Sequence, residues 1–221
     1  MPLARHINFF ELEKACAQHG CPLCTLVSAR TRQYLDNMLF EHVSDRAFRA
    51  AHRQSGGFCS FHAKNLETFR DGLAVAILGR DILEERIESF KKRKAWKPKG
   101  VCPVCAEQNR LEQEYLSFLA ETETQSSSRH EDEQTIGDLK TIFTASEGLC
   151  APHYARFLET TKRPPLWLIE FHEGKFNALL KRINQFIELS AYGHQAEFAA
   201  LSDRDKIVWQ ELALNLRGSA D

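Results

Sequence analysis

The feature that most constrains the fold is a pair of cysteine motifs that the 221-residue chain carries twice. A CPLC motif at residues 21–24 recurs as CPVC at residues 102–105. Each is followed by a glycine, an apolar residue and a CxxH motif, at residues 57–62 and 148–153. Unrelated cysteine motifs would not recur in the same order by chance. The pattern therefore predicts a duplicated structural unit.

The repeated motifs supply a complete set of metal ligands. In each motif the two side chains are three residues apart at the predicted start of a helix, so they lie on one face. One CPxC and one CxxH together offer three thiolates and an imidazole, which is a common closed ligand set for structural zinc. We predict two zinc ions per chain, with one site inside each copy: Cys21, Cys24, Cys59 and His62 in the first, and Cys102, Cys105, Cys150 and His153 in the second.

Other roles for the same cysteines stay open at this point. Three cysteines and a histidine can also hold an iron–sulfur cluster. A CPxC at a helix start resembles the glutaredoxin dithiol, although a helix rather than a strand is predicted to precede it here. Cys16, the seventh cysteine, is expected to be a small buried apolar residue. His42, His172 and His194 lie at no ligand spacing and are expected at the surface or as helix caps.

The apolar pattern predicts an all-α fold. Apolar residues recur at helical spacing, and no segment alternates with a period of two. We predict helices over about residues 7–18, 22–40, 44–54, 59–94, 102–120, 134–145, 150–161 and 166–190, and a closing helix near residues 205–217. The polar segment 121–133 is predicted to be a loop. The architecture is two tandem helical modules, residues 1–97 and 98–221, each organised around a Cys₃His metal site at converging helix N-termini.

Charge and hydropathy limit the classes of partner. The net charge is −1, so bulk charge does not indicate a polyanion binder. A basic linker at residues 91–99 could contact nucleic acid through Lys91, Lys92, Arg93, Lys94, Lys97 and Lys99. The alternative is a solvated helix end, where cations are favourable. No apolar segment predicts a membrane span or a secretory signal, so we expect a cytoplasmic protein without a membrane partner. Reducing conditions there favour metal ligation over disulfides.

The paired CPLC/CPVC and GFCxxH/GLCxxH motifs, with the tryptophan-bearing closing helix, resemble an uncharacterised bacterial family, a domain of unknown function. The resemblance covers nearly the whole chain. It implies a bacterial cytosolic protein whose motif cysteines and histidines are the defining residues, and it implies no activity. The sequence contains no glycine-rich phosphate loop and no nucleophile motif. We therefore expect a non-catalytic adaptor or accessory subunit with a protein partner. The alternatives are a redox-responsive or iron–sulfur protein and a nucleic-acid binder.

Overall fold

The computed structural model describes residues 2–69, 71–121 and 139–218, with side chains from residue 7 onward. Within these ranges the backbone forms helices joined by turns, and none of it is strand, which confirms the all-α prediction. The polar loop predicted over residues 121–133 and the start of the helix predicted over residues 134–145 fall in residues 122–138, apart from residue 121, and so lie outside the described residues.

The helices follow the sequence prediction closely in most places. In the first half they are α1 (Pro2–Cys16), α2 (Pro22–Asn37), a π-helical turn (Met38–His42), α3 (Arg46–Ser55), α4 (Ser60–Asn65), a 3₁₀ turn (Leu66–Thr68), α5 (Gly72–Lys91) and α6 (Pro103–Ala120). They continue as α7 (the helical residues 139–145), α8 (Ala151–Thr160), α9 (Leu166–Leu189), α10 (Gln195–Ala199), α11 (Asp203–Lys206) and α12 (Val208–Arg217).

The single long helix predicted over residues 59–94 is wrong, because the chain breaks it after the 3₁₀ turn. Phe69 adopts an extended conformation (φ −90°, ψ 136°), which ends the helical run. The Asp71 carboxylate then accepts a hydrogen bond from the backbone N–H of Ala74 at 2.9 Å and caps α5. The apolar periodicity of the sequence continues across this break, because the cap is a single polar side chain. The periodicity therefore does not reveal the break.

The chain divides into two compact units. Their bounds differ from those of the two predicted modules, residues 1–97 and 98–221. Unit 1 comprises Met1–Leu26 and Glu114–Asp221, and unit 2 comprises Val27–Gln113. In sequence, unit 2 is inserted into unit 1, with the boundaries inside α2 and α6. Each unit nonetheless contains one Cys₃His cluster, and helix N-termini contribute to both clusters.

Unit 1 has a core built around its longest helix. Leu179 and Ile183 of α9 pack with Val208 of α12, which is completely buried. Arg182 on α9 donates to Asp205 at 2.6 Å and to Glu211 at 2.7 Å, and so adds charged contacts between α9 and the C-terminal helices. Because burying each large aliphatic side chain contributes about 1.5–3 kcal/mol, this packing stabilises the contact between α9 and α12.

Unit 2 has its own core, to which one motif contributes directly. Its buried members are Leu35, Met38, Leu39, Leu66, Ala74, Leu78, Cys102 and Val104. Arg49 on α3 forms a two-pronged ion pair with the buried carboxylate of Asp81 on α5, at 2.7 and 2.6 Å. Cys102 and Val104 of the CPVC motif therefore pack against the hydrophobic residues of the inserted unit.

Candidate metal centres

Two groups of cysteine and histidine side chains form, one in each unit. Centre I consists of Cys21, Cys24, Cys150 and His153, and centre II consists of Cys59, His62, Cys102 and Cys105. Within each centre the four potential ligand atoms lie within 4.8 Å of one another. All eight predicted ligand residues are therefore in position to bind metal ions.

The prediction that each copy forms its own site is wrong, because each centre combines motifs from both copies. Centre I takes the first CPxC and the second CxxH, and centre II takes the first CxxH and the second CPxC. The chain leaving the first CPxC enters unit 2, whose core holds both the first CxxH helix and the second CPxC. Packing of that inserted unit therefore decides which motifs meet.

The distances between ligand atoms match a tetrahedron around a single ion. A tetrahedral ion with metal–sulfur bonds of about 2.3 Å and a metal–nitrogen bond of about 2.05 Å places two sulfurs about 3.8 Å apart, and sulfur about 3.5 Å from nitrogen. In centre I the sulfurs of Cys24 and Cys150 are 3.7 Å apart, and the three sulfurs lie 3.2–3.5 Å from Nδ1 of His153. These separations also far exceed the roughly 2.05 Å of a disulfide.

Centre II has nearly the same dimensions. The sulfurs of Cys59 and Cys105 are 3.7 Å apart. Nδ1 of His62 lies 3.3 Å from Cys59, 3.5 Å from Cys102 and 3.4 Å from Cys105. Both histidines thus present Nδ1 to their centre. The two crossed sites have the same inner geometry.

Helix N-termini hold the ligands in place. Cys59 and Cys150 are the N-cap residues of α4 and α8, with nearly identical conformations (φ −66°, ψ 166° and φ −68°, ψ 164°). The carbonyl groups of Cys21 and Cys102 each accept the first backbone hydrogen bond of α2 and α6, at 3.1 and 3.0 Å. Each centre therefore lies between two helix N-termini, whose partial positive charge favours thiolates.

The glycine before each CxxH has a conformation that other residues rarely adopt. Gly57 and Gly148 have φ values of 81° and 68°. A Cβ atom on Gly148 would lie 2.8 Å from the ring of Phe171 and 3.2 Å from Nε2 of His172. Glycine is therefore required at position 148 both for its backbone angle and for the space that it leaves.

The thiols influence one another's ionisation in centre I. Burial and the neighbouring thiols of Cys150 and Cys24 raise the pKa of Cys21 well above its ordinary value. Hydrogen bonds from Cys150 and Cys21 lower the pKa of Cys24. Three clustered thiols do not readily ionise together, because their charges repel. A divalent cation would remove that repulsion and hold all three as thiolates.

In centre II the pKa values of two thiols are again shifted in opposite directions, and its cysteines are more exposed to solvent. Burial and the thiol of Cys59 raise the pKa of Cys105 to about 12. Burial also acts to raise the pKa of Cys59, but the backbone N–H of His62 and the sulfur of Cys105 bring it below its ordinary value. Cys59 and Cys105 are only partly buried, whereas all three cysteines of centre I are buried.

His172 supports centre I and was not recognised from the sequence. The prediction of a surface or capping histidine is wrong, because its side chain is 1% exposed. Its Nε2 accepts a hydrogen bond from the backbone N–H of Leu149 at 2.9 Å, and its Nδ1 lies 2.8 Å from the carbonyl of Leu168, to which it donates. The ring also stacks on Tyr154 at 4.3 Å. The sequence signal for its burial was its position on the side of α9 that faces the core.

Burial keeps His172 neutral. Desolvation lowers its pKa to about 4. The neutral ring can therefore accept from Leu149 and donate to Leu168 across the ordinary pH range. This fixes the backbone immediately before Cys150.

Nε2 of His62 is buried, and no described residue hydrogen-bonds to it. The Gln108 side chain lies close enough to act on His62 and opposes the lowering of its pKa by burial. An amide beside a ligating histidine is a typical outer-shell partner.

The basic linker lies at the surface of unit 2. Lys91 pairs with Glu88 at 2.7 Å, and the guanidinium of Arg86 lies 4.7 Å from the ring centroid of Trp96. The remaining basic residues, Lys92, Arg93, Lys94, Lys97 and Lys99, are exposed. The backbone N–H of Lys99 donates to the carbonyl of Gln54. These contacts fix the path of the linker, and nucleic-acid binding through it stays a prediction.

Cys16 is 8% exposed, and burial raises its pKa to about 11, which confirms its predicted buried position.

In the part of the chain that the structure describes, no helix combines the length and the apolar character required to cross a membrane.

Comparison with known proteins places the chain beside proteins without a known activity. Residues 6–100 match the model of a family of unknown function (DUF6062). The chain is 27% identical over 185 residues to the "Uncharacterized 23.9 kDa protein in xynA 3'region" of Caldicellulosiruptor sp. (strain Rt8B.4), covering 78% of this chain and 83% of that protein. No solved structure matches. The predicted resemblance to an uncharacterised family, a domain of unknown function, is therefore confirmed.

Proposed function

We propose that the protein binds two zinc ions, one at each centre, and that the metal holds together a helical scaffold acting as an adaptor or accessory subunit. The observation that carries the proposal is the close spacing of eight potential ligand atoms in two matching sets, each with all four atoms within 4.8 Å of one another. Three thiolates and one imidazole are the donors that structural zinc prefers. Zinc would neutralise part of the thiolate charge in each centre.

The ligand spacing favours one ion over an iron–sulfur cluster. A cluster distributes its protein ligands over two or more irons, and this spreads the sulfurs apart. Here all four potential ligand atoms of each centre lie within 4.8 Å of one another. That bound suits four ligands on one ion.

A closed ligand set favours a structural role over a catalytic one. Catalytic zinc sites use three protein ligands and leave the fourth position to water or substrate. Each centre here offers four potential protein ligands. A helical protein without an open metal position works through its surface, which supports the adaptor role.

Metal analysis tests the proposal directly. Protein purified without added metal should contain two equivalents of zinc by mass spectrometry and should be colourless. Removing the zinc with a chelator should abolish the cooperative thermal transition, because site formation is coupled to folding. Iron with visible absorption would refute the zinc assignment. An apo-protein with the melting temperature of the holo-protein would refute the structural role.

Exposure of centre II supports a second candidate, a redox-responsive zinc site. Cys59 and Cys105 are partly exposed and their sulfurs are 3.7 Å apart. Hydrogen peroxide would oxidise these two thiolates to a disulfide and would itself be reduced to two hydroxide ions, with release of the zinc ion. Peroxide-driven zinc release that a dithiol reductant reverses would support this role. Resistance of centre II to peroxide would exclude it.

A further inference from the structure

The long helix of unit 2 has two apolar faces, and only one of them is covered. Ala74, Leu78 and Ile82 are 2%, 1% and 8% exposed and pack into unit 2. The other face carries large apolar side chains that remain in solvent: Leu73 (74% exposed), Leu83 (57%), Ile87 (42%) and Phe90 (60%). At about 100° per residue the two faces lie on opposite sides of the helix.

The outer face has the spacing of a coiled-coil seam. Residues 73, 76, 80, 83, 87 and 90 are separated alternately by three and four positions, which is the a/d pattern of a heptad. Five of the six are apolar, because Ala76 joins the four large residues, and the exception is Arg80. Helix α5 has 20 residues and is about 30 Å long, enough for nearly three heptads. The outer face, defined by these six positions, is built to pack along another helix.

Single exposed apolar residues are ordinary on a protein surface, but a continuous stripe is not. A helix that is apolar on opposite sides is normally buried on both. The inner face already has its cover in the core of unit 2. The outer face therefore indicates a partner helix.

Arg80 and its neighbour Glu84 identify that partner. In a parallel pair of α5 helices, Arg80 would face its own copy and the two charges would repel. In the antiparallel register that aligns position 73 with position 90, Arg80 instead faces Leu83 of the second copy and lies one position from its Glu84. The guanidinium is 58% exposed, and its contacts within its own chain are long, at 3.6 Å to Asp81 and 3.8 Å to Glu84, so it is able to reorient. The face is thus complementary to itself about a two-fold axis, as a symmetric dimer requires.

We propose that a second copy of this chain docks antiparallel along the outer face of α5, forming a homodimer in which Arg80 of each chain pairs with Glu84 of the other. The dimer goes beyond the proposed zinc-binding function and does not depend on it. Arg80 lies within the seam and Glu84 flanks it, so the charged pair forms only in the antiparallel register and selects it.

Sedimentation velocity of the full-length zinc-loaded protein tests the dimer. The wild type should sediment at twice the 25.3 kDa chain mass. Leu83→Lys should raise the dissociation constant by at least about tenfold, because it places a cation in the apolar seam opposite Arg80 of the second copy. Ile187→Lys, on an apolar residue of α9 that is 62% exposed, is the matched control and should leave the mass unchanged.

Charge exchange tests the register without disturbing the apolar residues. Arg80→Glu and Glu84→Arg should each weaken the dimer, and the double variant should restore it. Zinc content and helicity should stay at wild-type values in every variant, which separates failure of the dimer from failure of the metal proposal. A monomeric wild type, or a dimer unaffected by Leu83→Lys, would overturn the proposal. Failure of the double variant to restore the dimer would overturn the antiparallel register.

Discussion

Two double variants distinguish the crossed ligand pairing from pairing within each copy. Cys24→Ser/Cys150→Ser removes two ligands from centre I and leaves centre II complete. Cys24→Ser/Cys59→Ser removes one ligand from each centre. The two variants make the same kind of change at the same number of cysteines, so each serves as the control for the other.

The expected difference is one zinc ion per chain. The first variant should retain one equivalent of zinc after dialysis against a weak chelator, and the second should retain none. Structural zinc contributes about 10–16 kcal/mol of apparent binding free energy at neutral pH, comparable with the roughly 5–15 kcal/mol that stabilises a whole domain. Loss of a centre should therefore also unfold the unit that contains it.

Metal analysis with circular dichroism is a sufficient assay. The first variant should keep a cooperative transition from unit 2, while the second should lose the transitions of both units. If each copy bound its own zinc, the two zinc contents would be exchanged, with one equivalent in the Cys24/Cys59 variant and none in the Cys24/Cys150 variant. That result would refute the crossed pairing.

Three further predictions concern the surroundings of the centres. Gly148→Ala should destabilise the protein by about 1–3 kcal/mol in urea unfolding, because the new methyl group meets an aromatic ring at a left-handed backbone angle. Gly174→Ala, in open space on α9, should instead stabilise it slightly. Burial lowers the pKa of His172 from 6.5 to about 4. As the pH falls, this histidine is therefore protonated in the unfolded chain at a higher pH than in the folded protein. Stability should therefore fall between about pH 6.5 and 4, and this component should vanish in His172→Gln. Thiol reagents should release zinc from centre II before centre I, because two cysteines of centre II are partly exposed. In a chromogenic zinc assay, the Cys59→Ser/Cys105→Ser variant should lack this fast phase. Equal release rates from the two centres would contradict the reasoning from exposure.

The chain's local patterns determined much of what the structure shows. Three-residue spacing at a helix start places two side chains on one face wherever the helix lies. The ligand residues, and most of the helix bounds, could therefore be predicted without tertiary information. The break before Gly72 was missed because a capping aspartate interrupts the backbone without interrupting the apolar pattern.

The sequence by itself determined the eight candidate ligand residues and the all-α class, because both depend on contacts between near neighbours. Only the tertiary structure decided which CPxC meets which CxxH. The two copies offer chemically equivalent ligands, so spacing cannot distinguish Cys59 from Cys150 as the partner of Cys24. The difference comes from the insertion of unit 2 between the motifs of centre I, and from cores that bring together residues far apart in the chain. The same long-range packing buried His172 behind Cys150 and left one apolar face of α5 exposed.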